Sequence, residues 1–379
     1  SKEFLSDYKY DGITVRGDAV ISLNGCSVEE GELCDIANFK GDDPWADGGV
    51  IAINATGNAT DGFTAGTFVA KKAEDIKVSP LCFLKPVEGK DNVWTIAVKP
   101  VAKIGETKYE TLQAAFDAVP DGIETTVTLL ENSKTATLGD INNIGAKTVI
   151  LELNGHSITG YVRGITTLTN SSSLDGATLV NFANLTINGE GTIGDTEGDY
   201  HHNALVNISD GTTLTINGGT FVAQSCCVFH YSAGNDANEA TININGGRFS
   251  TSKRGLQNNV NAFGIGGKST QTLTVNYSNA TAESVKGIYC SLQNTKINIH
   301  SGSITADVNA INLSMGKNVI ITIDGGTLKT LDTTTYGENN NYKSTGSYTG
   351  SSLPIYASAF GSENIICNIS GGTFIYPYN

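Results

Sequence analysis

The stretch TLTINGGTFVA (213–223), which returns 28 residues later as TININGGRFST (241–251), decides the fold of this chain. In each copy apolar and polar residues alternate, Asn-Gly-Gly then marks a turn, and a second short apolar stretch follows. Alternation with a period of two is typical of a β-strand with one buried face. Related segments begin at residues 148, 184, 296, 321 and 367. Such a repeat indicates a solenoid, because short strands bury their inner face only by stacking on the next copy.

The spacing of the repeat predicts three strands per coil. Successive turn residues are separated by 34, 29, 28, 31, 24, 24 and 46 residues, and a second apolar stretch such as ALVNIS (204–209) or GIYCSL (287–292) lies between most of them. The last gap holds two coils, or one coil with a polar insertion over 333–352. We predict an all-β, right-handed parallel β-helix with Val, Ile, Leu and Phe inside and Thr, Asn and Ser outside. The turn residues used as markers are Asn154, Asn188, Asn217, Asn245, Asn276, His300, Asp324 and Ser370.

The Asn or Asp of each turn has two predicted roles. Both residue types tolerate the left-handed backbone that a sharp corner between strands requires. Equivalent Asn side chains on successive coils are also expected to hydrogen-bond to one another as a ladder along the solenoid.

An amphipathic helix is predicted immediately before the repeats, in TKYETLQAAFDAVPDG (107–122). Thr107 and Glu110 form a capping box, and Pro120 with the Asp-Gly after it ends the helix. We expect the helix to cover the first coil, because a solenoid exposes its lumen at its ends; a partner-binding helix is the alternative. Its apolar stripe consists of Tyr109, Leu112, Ala115, Phe116 and Val119.

The pattern divides the chain into three segments. Residues 1–100 are predicted to form an N-terminal β domain, residues 101–122 a linker with one short capping α-helix, and residues 123–379 the parallel β-helix. The seven cysteines are spread over this length without a CxxC pair and are expected to be small buried side chains. In an oxidising compartment, Cys26 and Cys34 form the favoured disulfide.

Charge and hydropathy argue against two classes of partner. Lys and Arg number 24 against 38 Asp and Glu, a net charge of −14 that opposes binding to nucleic acid and to anionic membrane surfaces. No run of about 18 apolar residues occurs, and residues 1–20 lack the pattern of a secretory leader. We predict no nucleic-acid partner and no direct membrane insertion; any leader is expected either to have been removed or never to have existed.

The run VAKIGETKYETLQAAFDAVPDGIETTVTLLEN (101–132), followed by ELNGHSITG (152–160) and several INGGTF copies, carries a resemblance to a known family. It resembles the pectate-lyase-like β-helix modules of large surface, adhesin-like proteins of Gram-positive gut bacteria. The resemblance implies an extracellular location at the bacterial cell surface.

The order of the parts predicts head-to-tail assembly. Residues 64–98 resemble the ending of such a module, whereas the sequence stops at GGTFIYPYN (371–379), where a module ending would begin. We expect the first domain of one molecule to continue or cover the last coil of another, which propagates a filament; an independent small β domain over residues 1–98 is the alternative. The expected interface residues are Phe4, Tyr8, Tyr10, Phe374, Tyr376 and Tyr378.

Catalytic signatures for cleavage of acidic polysaccharides are weak. A hydrolase needs clustered carboxylates, and the nearest candidate to a known string is NGHS (154–157), where His156 is expected to face solvent. A lyase needs a basic residue beside a calcium-bridged uronate. Arg248, Lys253 and Arg254 lie close together in sequence, and a solvated basic corner is the simpler interpretation of these three. The candidate bases are Arg163, Arg248, Lys253, Arg254, Lys268 and Lys286.

The densest acidic cluster is GDTEGDYHHN (194–203). Its spacing matches neither an EF-hand nor a zinc signature, so a loop between coils explains it more simply. We predict no metal and no cofactor, with Asp195, Glu197 and Asp199 as the candidate metal ligands and His201 and His202 beside them.

Aromatic residues supply candidate contacts to glycans. Trp45 lies in the acidic segment KGDDPWAD (40–47), three tyrosines lie in a polar insertion (335–352), and Tyr231 and Tyr289 belong to the second apolar stretches. If the last two face outward, they favour carbohydrate binding over a purely architectural role.

The sequence as a whole predicts a non-catalytic, extracellular structural or adhesive β-helix protein that forms a head-to-tail homopolymeric surface filament. Its expected partners are other copies of itself and host or cell-wall glycans. The alternatives are a polysaccharide lyase or glycoside hydrolase acting on acidic glycans, and a carbohydrate-binding β-helix.

Overall fold

Parallel β-strands make up most of the described structure. The chain divides into two compact units, Ser1–Lys99 and Pro100–Asn379, referred to below as the first and second unit. The structure, a computed structural model, describes residues 20–23, 50–70, 72–80, 82–135, 142–144, 147–160, 177–181, 184–195, 202–208, 211–232, 239–251, 260–267, 272–314, 316–331, 353–357 and 363–376.

The first unit contains a five-stranded sheet. Its strands are β1 (Val20–Leu23), β2 (Val50–Asn58), β3 (Gly62–Ala70), β4 (Cys82–Pro86) and β5 (Val93–Val98). They lie in the order β1-β2-β3-β5-β4, and a short 3-10 turn, Ala73–Asp75, follows β3. Strand β1 pairs with β2 in parallel, whereas the other described pairs in this sheet are antiparallel. The buried core of this unit consists of Val50, Ala52, Phe63, Phe68, Ala70 and Ile76.

The second unit contains one described helix and a long series of short strands. In chain order the described elements are β6 (Ala102–Ile104), β7 (Thr107–Tyr109), α1 (Leu112–Ala118), β8 (Thr125–Leu129), β9 (Ser133–Thr135), β10 (Asn142–Asn143), β11 (Thr148–Glu152), β12 (Ser157–Gly160), β13 (Ala177–Asn181), β14 (Asn184–Asn188), β15 (Thr192–Gly194), β16 (Asn203–Ile208), β17 (Thr213–Ile216), β18 (Thr220–Ala223), β19 (Cys226–Ser232), β20 (Glu239–Ile244), β21 (Arg248–Thr251), β22 (Asn261–Gly267), β23 (Thr272–Tyr277), β24 (Thr281–Cys290), β25 (Thr295–Ile299), β26 (Ser303–Leu313), β27 (Lys317–Ile323), β28 (Thr327–Thr330), β29 (Ile355–Ala357), β30 (Glu363–Ile369) and β31 (Thr373–Ile375).

These strands form three faces, each a stack of parallel strands. The first face runs β8-β11-β14-β17-β20-β23-β25-β27-β30, and β6 and β7 extend it with antiparallel pairing beside β8. The second runs β9-β12-β15-β18-β21-β24-β26-β28-β31, and the third runs β10-β13-β16-β19-β22-β24-β26-β29. Strands β24 and β26 are long enough to serve both of the last two faces. The predicted all-β fold, a parallel β-helix with three strands per coil and one short helix, is confirmed.

Coil length varies, but register along the first face does not. One lumen position recurs in every strand from β8 to β30, at intervals of 24, 36, 29, 28, 33, 22, 24 and 46 residues. Insertions therefore lie between strands and leave the stacking unchanged. The residues of this column are Val127, Leu151, Ile187, Ile216, Ile244, Tyr277, Ile299, Ile323 and Ile369.

The lumen is filled by apolar side chains, as predicted. Aromatic rings stack across coils: Phe221 and Phe249 lie 4.9 Å apart between centroids, and Phe249 contacts Phe263 at 4.6 Å. The buried Tyr277 donates its hydroxyl to the carbonyl oxygen of Ser303 at 2.8 Å, and burial raises the pKa of that phenol. Inner side chains thus pack against those of neighbouring coils, which is what a solenoid core requires.

Glycine makes the Asn-Gly-Gly corner possible. A Cβ on Gly246 would lie 2.6 Å from the carbonyl oxygen of Asn217 in the coil below, so the first glycine permits close stacking. The second glycine, Gly247, has a φ of +100°, the left-handed backbone that glycine adopts without strain. The predicted left-handed Asn occurs at Asn154, where φ is +50°. Asn217 and Asn245 are not left-handed, because the second glycine after each of them takes that conformation.

The predicted asparagine ladder forms along the corners of the first face. The amide of Asn188 donates to Glu152 at 2.7 Å, that of Asn217 to Asn188 at 2.8 Å, and that of Asn245 to Asn217 at 2.9 Å. Two markers were wrong by two positions. Asn276 pairs with Asn243 rather than Asn245, and Glu152 rather than Asn154 lies opposite Asn188.

A second polar ladder lies inside the lumen on the third face. The amide of Asn181 donates to Oδ1 of Asn207 at 2.6 Å, and the amide of Asn207 lies 3.0 Å from Nδ1 of His230. All three side chains are buried. Hydrogen bonding along the ladder offsets the desolvation of these groups.

The capping helix is present, but it is shorter than predicted and has a different N-cap. The β6–β7 hairpin, with Gly105 at a φ of +56°, holds Thr107 in extended backbone opposite Ile104, so Thr107 cannot cap the helix. Instead the Thr111 side chain accepts a hydrogen bond from the Ala114 amide at 3.1 Å. The helix contacts β6, β7, β8 and β10, and its inward side chains belong to the lumen core, as predicted; they are Leu112, Ala115 and Phe116.

A lysine from the next coil holds the C-terminal end of α1. Nζ of Lys147, immediately before β11, donates to the carbonyl oxygens of Phe116, Asp117 and Val119 at 3.1, 2.7 and 2.7 Å. The carbonyl oxygen of Phe116 also accepts from the Val119 amide at 3.1 Å. Lys147 adds a charged donor at this helix end, where the negative end of the helix dipole favours a cation.

We expect Lys147→Met to lower the free energy of unfolding by about 1 to 2 kcal/mol, because three carbonyl oxygens lose a charged donor. Urea unfolding followed by far-UV circular dichroism measures the change. The control is Lys134→Met at an exposed position of β9, where we expect a change within roughly 0.5 kcal/mol. Equal effects of the two substitutions would contradict the assigned role of Lys147.

Candidate functional site

The last described coil, which contains β30 and β31, leaves its lumen positions uncovered. In the preceding coil Val319, Ile321 and Ile323 are each 0% exposed. The residues opposite them in β30 are Ile365, Cys367 and Ile369, and Ile369 is 53% exposed. Because a coil is covered only by its neighbour, this loss of burial marks the coil as an open end within the described residues.

The same change occurs on the second face. Phe374 in β31 lies opposite the buried Leu328 and is only partly buried against the lumen core. Tyr376, two residues further along, is 52% exposed. Among the described strands, β30 pairs only with β27 and β31 only with β28, so the outer edges of both strands have no described partner. We call this surface, formed by residues 363–376, the terminal patch.

Two of the six predicted interface residues, Phe374 and Tyr376, therefore lie on the terminal patch. The other four, Phe4, Tyr8, Tyr10 and Tyr378, lie outside the described residues. Cys26 and Cys34, the predicted disulfide, also lie outside them.

An exposed asparagine ladder leads to the terminal patch. Asn294 lies immediately before β25, whereas Asn318 and Asn364 are the second residues of β27 and β30. All three have left-handed backbone, with φ of +57°, +54° and +55°. The amide of Asn318 donates to Asn294 at 3.1 Å, and that of Asn364 to Asn318 at 3.0 Å. Sequence reasoning missed this ladder, although the spacing of these residues, 24 and then 46, equals that of the lumen residues Ile299, Ile323 and Ile369.

The predicted metal candidates are not brought together by the described part of the chain. Asp195 is present, and its carbonyl oxygen lies 3.0 Å from Nδ1 of His202. His202 is buried with Nε2 2.8 Å from the Thr178 hydroxyl, and burial lowers the pKa of His202. Glu197, Asp199 and His201 lie outside the described residues. No group of three or more His, Cys, Asp or Glu side chains suited to a metal occurs in the ranges that the structure describes.

The candidate bases are dispersed as well. His156 lies in a turn and is partly exposed, and Arg248 is exposed at the start of β21. Lys286 is 5% exposed on the third face, between Asn261 and Asn309, and its Nζ lies 4.9 Å from the centroid of the Tyr289 ring. Burial lowers the pKa of Lys286 to about 8. The remaining candidates lie outside the described residues: Arg163, Lys253, Arg254 and Lys268.

Aromatic side chains line the outer side of the third face. Phe229 and Tyr231 alternate along β19 with the lumen residues Val228 and His230, so both point away from the lumen, and their rings lie 6.3 Å apart. The next strand, β22, carries glycines here: a Cβ on Gly264 would lie 2.7 Å from the Phe229 ring.

Two further tyrosines continue this outer surface. Tyr289 follows the lumen residue Ile288, and it lies opposite Asn312, which in turn lies opposite Tyr356. Tyr231, Tyr289 and Tyr356 are all partly buried. The condition set for a glycan-binding surface, that Tyr231 and Tyr289 face outward, is met. We call Phe229, Tyr231, Tyr289 and Tyr356 the aromatic row.

Comparison with known proteins adds no identity. No family model matches the chain, and neither curated proteins nor solved structures give a significant match. The resemblance to bacterial surface β-helix modules therefore stays a prediction. Within the described residues, no helix is long and apolar enough to cross a membrane.

The described cysteines differ sharply in burial, and we expect their reactivity to follow. Cys226, Cys227 and Cys290 are buried, as predicted for core residues, and burial raises the pKa of Cys226 to about 12 and that of Cys290 to about 11. The prediction of burial is wrong for Cys367, which is an exposed free thiol on the terminal patch because no described coil covers it. Iodoacetamide labelling with peptide mapping should modify Cys367 first, because the thiolate must be accessible to react. Equal labelling of Cys367 and Cys290 in the folded chain would contradict this arrangement.

Proposed function

We propose that this chain is a non-catalytic, extracellular structural or adhesive β-helix protein that assembles head to tail through the terminal patch. The loss of burial in one column carries the proposal: the lumen side chain is 0% exposed at Ile323 and 53% exposed at Ile369. Apolar side chains in this register are covered by another coil everywhere else along the described column. A second copy that supplies such a coil would remove the same surface from water.

The size of this surface supports reversible assembly. Fully burying an Ile or Phe side chain is worth about 1.5 to 3 kcal/mol, and a half-exposed one roughly half of that. The apolar side chains of the terminal patch together supply several kcal/mol, from which the loss of translational and rotational freedom must be subtracted. We therefore expect assembly to depend on protein concentration, and a cell surface raises the local concentration.

The proposed location follows from the resemblance and from the surface chemistry. A net charge of −14 and outward Thr and Asn side chains keep a repetitive solenoid soluble. Host or cell-wall glycans are the proposed external partners. We propose neither binding to nucleic acid nor insertion into a membrane. No group of described residues favours the lyase or hydrolase alternative.

Sedimentation velocity and negative-stain electron microscopy of the chain over a range of concentrations test the assembly. We expect linear particles that lengthen with concentration. Labelling of Cys367 by iodoacetamide should slow in parallel, because a stacked coil covers that thiol, while the labelling of Cys82 in the first unit stays constant. A particle that remains monomeric throughout, with unchanged labelling of Cys367, would rule the assembly out.

Carbohydrate binding on the third face is a second candidate function, which the aromatic row favours. The outward aromatic rings of this row are suited to stack on a sugar ring. The acidic net charge favours neutral over acidic glycans.

We expect Tyr289→Ala to weaken the binding of neutral oligosaccharides about tenfold, which corresponds to about 1.4 kcal/mol, as measured by isothermal titration calorimetry. The matched control is Tyr376→Ala, which removes a tyrosine outside the row. Failure of every neutral oligosaccharide to bind, or equal effects of the two substitutions, would exclude this function.

A further inference from the structure

The first unit contains a parallel strand pair with the geometry of successive coils. Strand β1 lies beside β2 in parallel, with Val20 opposite Val50 and Leu23 opposite Ile53, a constant offset of 30 residues. Offsets along the first face of the second unit range from 22 to 46 residues. The other described strand pairs in the β1–β5 sheet are antiparallel, so β1 with β2 is the one parallel strand pair described in that sheet.

The local sequence and backbone around β1 and β2 also match the first face. ISLNGCS (21–27) and LELNGHS (151–157) share the string Leu-Asn-Gly-x-Ser. In β2, Asn54 follows Ile53 with a φ of +49°, as Asn154 follows Leu153 with a φ of +50°. Strand β2 thus contains the left-handed Asn of a first-face corner, although the strand continues to Asn58, and β1 carries the corresponding Leu before Asn-Gly in its sequence.

Each unit has an edge strand whose outer side has no described partner. Strand β30 ends the order of the first face, and β1 ends the order of the five-stranded sheet. Along the first face each later strand adds to the same side of the earlier one, so β30 presents the side that a following coil would occupy. Because β1 precedes β2 in the chain, its outer edge is the side that faces a preceding coil.

We infer that β1 of one copy pairs in parallel with β30 of a second copy, so that the first face of one molecule continues into β1 and β2 of the next. The inference rests on the head-to-tail assembly proposed above and names the strands that form the joint. Backbone hydrogen bonds between the two edges supply the pairing, as when a strand is added to an exposed sheet edge. The contact joins two different surfaces and therefore propagates rather than closing as a dimer.

Two lysine substitutions in β30 distinguish a specific effect on the pairing of β30 with β1 from a general effect of a surface charge. Ile369 and Ile366 are 53% and 52% exposed, but Ile369 continues the lumen column and Ile366 continues the outward column of Lys296 and Ile320. A lysine already occupies that outward column, so Ile366→Lys is a matched control. Both positions are exposed, so neither substitution places a charge in the folded core of an isolated chain.

We expect Ile369→Lys to raise the concentration needed for assembly about tenfold or more, because the ammonium group would lie beneath the incoming coil, and Ile366→Lys to change it by less than about twofold. Sedimentation velocity measures both. Circular dichroism confirms that both variants keep the fold. Equal effects of the two lysines would overturn the inference.

Mixing distinguishes a joint between unlike surfaces from a joint between two terminal patches. A chain with Ile369→Lys keeps an unaltered β1, so it should add to wild-type filaments and then stop their growth. Small fractions of this variant should therefore shorten the filaments, as seen by electron microscopy. Wild-type particles that never exceed two chains would indicate patch-to-patch pairing and overturn the inference.

Hydrogen exchange identifies the strands directly. On assembly, amides in Val20–Leu23 and in Glu363–Ile369 should both gain protection, whereas amides in β4 should not change. If filaments form but the amides of β1 gain no protection, the assignment of β1 is wrong and the proposed function stands. If the wild-type chain does not assemble, the proposed assembly and the assignment both fail.

Discussion

In-register stacking of lumen side chains is the interaction on which the second unit depends. Its strands are short, and a single coil has no interior of its own; the column from Leu151 to Ile323 is buried because every member lies between two others. Stability in such a solenoid is a sum of contacts between neighbours. A coil with one described neighbour, like that of Ile369, has fewer of these contacts than a coil with two.

Stacking also explains the composition of the corners. The coils are close enough that a Cβ on Gly246 would meet the carbonyl oxygen of Asn217, so glycine is required where one backbone passes over another. Asparagine is suited to the adjacent position because its side chain both donates and accepts, and each amide can bond to the same group in the next coil. The Asn-Gly-Gly string therefore reflects contacts between coils more than the preferences of one turn.

Much of the fold could be predicted from the sequence, but little of the proposed contact between β1 and β30 could be. Repeat spacing and alternation indicated three strands per coil and an apolar lumen, because both are local patterns. Register was harder: shifting a strand by two residues preserves the alternation, so the apolar pattern could not show that Asn276 lies opposite Asn243. The N-cap at Thr111 was missed because the β6–β7 hairpin takes Thr107, and the role of Lys147 depends on a contact between residues about thirty positions apart. The parallel pairing of β1 was missed because its partner lies 30 residues away.

Chain direction determines how open ends of this kind can meet. In a parallel β-helix every coil runs in the same direction, so its two ends present different edges. Two terminal patches related by a twofold axis would bring β30 against β30 in antiparallel orientation. That rotation can place the first face of one copy in line with the first face of the other. It then places the second face of each copy in line with the third face of its partner, so Phe374 of one copy would meet the face that carries Tyr356 in the other. A following coil that runs in the same direction as β30 continues the first face without this exchange. Continuity of the lumen column and of the asparagine ladder through Asn364 therefore favours head-to-tail stacking over a symmetric pair.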